Sequence, residues 1–173
     1  MVKARHIVLF VAVVVVGYYA ATELGLMGSN LDKVKAVDAE YGIGEEQLLP
    51  ADAQSLKEYG EKLSEIEAKT PEEKSVLATK MSLVEMQESM FSLSENLGKI
   101  DFYEIDCGPD GAVLSAKKDA EDALAKANGA VSQSEKMGNV KGFEHITGET
   151  FSENMALVMR SLVSTISVLD QAC

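Results

Sequence analysis

From Ile7 to Ala21 the chain reads IVLFVAVVVVGYYAA, an apolar run without a single charge, and no comparable run follows. Leu24, Leu26 and Met27 extend it past Thr22 and Glu23 to Gly28, which brings it to the roughly 20 residues a spanning helix needs. A cleaved secretory signal fits less well. Cutting after Ala20 or Ala21 leaves Tyr18 or Tyr19 at the −3 position, where a small residue belongs, and cutting after Thr22 leaves a poor −1 residue. Residues 7–28 are therefore read as a transmembrane signal-anchor helix. Lys3 and Arg5 stand before it, so the positive-inside bias assigns residues 1–6 to the cytoplasm and everything after Gly28 to the extracytoplasmic side, at a cell surface or in a periplasm. Cleavage would deliver the remainder to the same compartment.

The residues beyond the run are enough for one domain with its own core. Acidic residues outnumber basic ones 28 to 16 in the 173-residue chain, a net charge of −12. A surface of that sign repels phosphate backbones and anionic lipid, so no nucleic-acid partner is expected, and contact with the membrane is assigned to residues 7–28.

Helical punctuation runs through the whole domain. Ser29 or Asn30 can cap a short helix with Leu31, Val34, Val37 and Tyr41 on one face, ended by Gly42 and Gly44. Residues 29–49 are read as this short helix and a linker, and 50–173 as the bundle. A first long helix is placed near Pro50, with Leu56, Tyr59, Leu63 and Ile66 at bundle spacing and Gly60 weakening it. Thr70-Pro71-Glu72-Glu73 is a capping box with proline in the first turn. The next helix bears two apolar rows, Val76, Leu83, Met86, Met90, Leu93, Leu97 and Ile100 beside Leu77, Met81, Val84 and Phe91. So wide an apolar face predicts a central helix, while the near absence of a loop leaves open whether the chain reverses or kinks at Thr70.

After the loop from Gly98 to Gly111 comes a helix with an alanine seam, Ala116, Ala120, Ala123, Ala127 and Ala130, predicted to run unbroken through Asn128-Gly129 to Met137. Small seam residues let a neighbouring helix approach closely. Gly138 to Gly148 reads as a flexible polar connection, and a last helix carries Phe151, Met155, Val158, Met159, Leu162, Ile166 and Leu169. The fold class is all-α: an N-terminal transmembrane helix, then an antiparallel bundle of three to four long helices.

In such a bundle the start of the alanine helix and the end of the last helix share a pole, which is where Cys107 and Cys173 stand. Those two cysteines, the only ones in an extracytoplasmic domain, are predicted to form a disulfide. The loop before Cys107 interleaves Ile100, Phe102, Tyr103 and Ile105, expected to fold over the bundle end, with Asp101, Glu104, Asp106 and Asp110. The four acids supply oxygen ligands of the kind Ca²⁺ takes, without EF-hand spacing, and make the one weak cation-site candidate. Otherwise no cofactor or metal is expected. Met86, Met90, Met155 and Met159 lie on rows that also carry leucine or valine, where methionine fills core. His145 is the only histidine beyond the apolar run, and no serine sits in a Gly-x-Ser-x-Gly elbow. The chain is accordingly read as a non-enzyme that binds another protein or assembles with its own copies in a cell-surface or envelope assembly. The alternative is a ligand-binding or sensing domain with a pocket between helices. An outward apolar patch would favour the first and a concave pocket the second.

Overall fold

The computed structural model describes residues 29–101 and 103–173, so the predicted membrane helix over 7–28 and the side chain of Phe102 lie outside the described residues. The described residues form five α-helices and no strand: α1 (Asn30–Glu40), α2 (Ala53–Ser64), α3 (Pro71–Gly98), α4 (Ala112–Met137) and α5 (Gly148–Ala172), with a 3₁₀ turn at Glu144–Ile146. None of these helices is long and apolar enough to cross a membrane.

Local chemistry sets most boundaries. Ser29 and Asp32 form a capping box on α1, and Thr70 and Glu73 another on α3 with Pro71 in its first turn. Helix α2 corrects the expected start near Pro50. It begins at Ala53, because the Asp52 carboxylate accepts the Ser55 amide at 2.9 Å and so satisfies an end of the helix that proline cannot. At 12 residues α2 is short, and the long helices number three.

The chain reverses at Thr70. Pro50 and Ala51 adjoin Leu83, Met86 and Met90, while Tyr59 meets Lys80, so α2 runs back along α3. Gly60 makes that approach possible: a Cβ there would lie 3.1 Å from Val84 Cγ1. Helix α4 runs antiparallel to α3, with Asn96 donating to Asp119 at 2.8 Å at one end and Lys126 paired with Glu85 further along. Helix α5 returns antiparallel along α4, with Met155 and Val158 near Met86 and Met90 of α3, and Lys117 meets Asp170 at 2.6 Å at the pole where Cys107 and Cys173 come together. The wide apolar face of α3 thus serves α4 along its length and α1 and α2 at its N-terminal half.

The alanine seam is fully buried at all five positions, and α4 is continuous through Asn128-Gly129. With no side-chain volume to yield, this seam should tolerate little growth. Ala123→Leu is expected to cost about 1–3 kcal/mol in a urea titration, whereas a similar change at exposed Ser132-type positions would cost almost nothing. Met86 and Met155 are buried in the same core.

Three expectations are corrected. The buried face of α1 is Asn30, Val34 and Asp38, with Leu31, Val37 and Tyr41 only flanking it, because α3 offers that face polar partners. The segment from Gly138 to Gly148 is a packed plug: Val140, Phe143 and Ile146, three residues apart, are all buried, and Ser134 donates to the Ile146 carbonyl at 2.8 Å. Tyr103 and Ile105 do not fold over the bundle end but are exposed. Asp101 accepts the Tyr103 amide and Asp106 the Gly108 amide, so side-chain turns set the path of this loop in place of burial.

Candidate functional site

Two features stand out: a buried polar cluster where α1, α2, α3 and the plug meet, and the outward face of α5.

The cluster centres on Lys80, which lies mid-turn on the side of α3 that faces α1 and α2. Its side chain is 1% exposed and that of Asp38 is 7% exposed, and the two form an ion pair at 2.9 Å. Tyr59 donates to the other Asp38 oxygen at 2.7 Å, and its hydroxyl accepts from Lys80 at 3.3 Å. His145 Nε2 lies 3.4 Å from the Lys80 Nζ. With Lys80 as an ammonium, which only donates, this contact requires His145 Nε2 to be unprotonated, as in the neutral ring with its proton on Nδ1. The three protons of Lys80 are thereby matched to three acceptors, and the Phe143 ring centroid lies 5.6 Å from Nζ. Among the described residues no buried side-chain nitrogen or oxygen lacks a partner.

Burial pushes the Lys80 ammonium below its usual range, against the opposing pull of Asp38. It pushes the Tyr59 hydroxyl far up, helped by the adjacent Asp38 charge. A second buried carboxylate, Glu73, accepts the amides of Lys69 (2.7 Å), Thr70 (3.0 Å) and Asn30 (3.2 Å), joining the starts of α1 and α3. Those amide donors, that of Lys69 foremost, hold its carboxyl below the usual range.

His145 is half-buried and also lines two shallow cavities of about 420 and 310 Å³, which share Glu45 and Glu144. Burial first, then the Lys80 charge, holds its imidazole below the ordinary 6.5. A group whose folded pKa is depressed binds more protons when unfolded, so stability falls as pH drops below 6.5 toward the folded value. The melting temperature is expected to decline between pH 7 and 5. In His145→Gln, whose amide oxygen can still accept from Lys80, that decline should flatten. Circular-dichroism melts across this range check it, and stopping at pH 5 leaves out the window of Glu73, which opens below about 4.5.

Of the residues singled out from the sequence, Cys107 and Cys173 are brought to disulfide distance, with their Cα atoms 5.7 Å apart. Asp101, Glu104, Asp106 and Asp110 are not gathered into a site. Asp101 and Asp106 are engaged by amides of their own loop, and among the described residues no three acidic, histidine or cysteine side chains converge as metal ligands would. Sequence reading missed the cluster. Asp38 and Lys80 are each a lone charge on an apolar helix face, and that pattern was the available signal.

The second feature is the side of α5 turned away from α4. Phe151, Met155, Leu162 and Leu169 are buried, yet Leu157 and Val168 are each 63% exposed and Val163 54%. Asn154, Leu157, Ser161, Ser164, Val168 and Gln171 all face solvent and are spaced alternately by three and four residues, the spacing of a coiled-coil seam. None of the six is charged, and from Asn154 to Leu169 the only charged residue is Arg160. Comparisons with models of known protein families, with curated proteins and with solved structures give no match.

Proposed function

We propose that this chain is a membrane-anchored, extracytoplasmic helical bundle with a non-catalytic role, binding another protein or assembling with its own copies. The outward stripe of α5 carries the proposal. A bundle helix whose only task is to cover a core presents charge to water on its far side, as α3 and α4 do with Glu88, Glu95, Lys118, Glu121 and Asp122. The stripe on α5 instead has a second set of heptad positions free of charge, which is what a helix packed on both sides needs. The buried cluster supports the same reading from the other direction, since its lysine, tyrosine and carboxylate are engaged with one another. Residues 7–28 would provide the anchor, and the paired cysteines accord with an oxidising compartment.

A photo-crosslinking residue at Leu157, on the stripe and exposed, tests the role in native membranes. A protein adduct is expected, whether to another chain or to a second copy. The cavity of about 420 Å³ beside His145 favours the alternative of a ligand-binding domain. That reading would take precedence if no adduct formed and a small molecule raised the melting temperature in a His145-dependent manner.

A further inference from the structure

We infer that the partner for the α5 stripe is a second copy of this chain, packed antiparallel across a two-fold axis that passes between Ser161 and Ser164. The inference rests on the protein-interaction role proposed above and names the partner.

The stripe is palindromic in character about that midpoint. Reversing one copy of α5 against another sets Ser161 opposite Ser164, Leu157 opposite Val168, and Asn154 opposite Gln171. Small residues then meet at the crossing, where helices approach most closely. Apolar residues meet on either side of it, and uncharged polar residues close both ends. A two-fold interface requires this kind of self-complementarity, because each residue i that meets j must also present j to i. A heterologous partner imposes no such pairing.

Charge points the same way. Two copies each of net charge −12 repel, and that repulsion is least where neither presents an acid. The stripe is such a place, with Glu153 and Asp170 standing outside its central turns. A basic partner would gain more on the faces of α3 and α4 that expose Glu88, Glu95, Glu121 and Asp122. The outer positions are open to solvent in the single chain: Leu157 and Val168 are 63% exposed, and both serines are exposed. Leu157 and Val168 stand about 17 Å apart along the helix, one on each side of the two serines. A contact of one helix face per copy is small, so association in the ~micromolar range is expected, sustained in place by the shared membrane.

Sedimentation equilibrium of the full chain in a mild detergent, over protein concentrations from about 1 to 300 µM, reads the outcome. The unaltered chain should dimerise. Leu157→Glu and Val168→Lys, each alone, should raise the dissociation constant at least ~10-fold, because each buries a charge against an apolar partner. The double variant Leu157→Glu/Val168→Lys should regain dimerisation, since each introduced acid faces the introduced base of the other copy. Both positions are exposed, so circular-dichroism melts of the variants should match the parent. A dimer indifferent to the single substitutions, or a double variant no better than either, would overturn the antiparallel stripe. A chain monomeric throughout, with a crosslinked adduct from Leu157 to a different protein, would overturn the second copy but leave the interaction role standing. A monomer with no adduct would sink both.

Discussion

Lys80→Ala is expected to lower the unfolding free energy by about 3–5 kcal/mol, the usual consequence of removing one partner of a buried ion pair. The size follows from what is left behind. Asp38 would be left without its cation at 7% exposure, with only the Tyr59 hydroxyl as a side-chain donor, and His145 Nε2 would lose the proton it accepts. Four segments, α1, α2, α3 and the plug, meet at this one ammonium, so the loss should be cooperative and should not be confined to one helix. Changing both charged partners to apolar residues of similar shape, Asp38→Leu with Lys80→Met, should cost clearly less than the single change, because no charge is stranded. Urea titrations at pH 7 compare the two. If Lys80→Ala shifted the midpoint by no more than an ordinary surface substitution, the cluster would not be the junction that holds the N-terminal helices to the bundle.

The second large effect is expected at the opposite pole. Cys107 and Cys173 are 66 residues apart in sequence, and the loop they close contains all of α4 and α5. In the chain-entropy account a bridge of that span stabilises by about 4 kcal/mol. Cys107→Ala/Cys173→Ala, or reduction of the parent chain, should therefore lower stability by a similar amount, and both cysteines are exposed enough for a reductant to reach them. Equal urea midpoints with and without reductant would show that the two thiols are not bridged in the folded protein. The two poles share no residue, so combining Lys80→Ala with loss of the disulfide should give nearly additive losses. A total approaching 8 kcal/mol would exhaust the stability of an ordinary small domain, and the combined variant is expected to be unfolded in water.

Much of the bundle was legible because its signals are local. A cap and the acid three residues after it, as at Thr70 and Glu73, decide where a helix begins through contacts within one turn. The alanine repeat of α4 declares its buried face through spacing alone. Even the meeting of Cys107 and Cys173 could be read, since short connections between long helices leave few ways to order the poles. The plug was misread for an equally physical reason. Val140, Phe143 and Ile146 are dispersed among glycines and charges at a three-residue interval too short to register as a helix, and their burial depends on a gap that only the neighbouring helices create.

Sequence alone determined the three long helices, their order and the burial of their inner faces, because backbone capping and side-chain periodicity act between residues a few positions apart. Tertiary structure alone decided two things. One is that Asp38, Tyr59, Lys80 and His145 share a single buried site, since charges so far apart in the chain become a pair only when packing removes water from between them. The other is that α5 lies at the edge of the bundle with one face on α4 and the plug and the opposite face on solvent. A helix's own residues declare which face is apolar, but the number of neighbours available to cover it is a property of the whole assembly, and here that number leaves Leu157 and Val168 open.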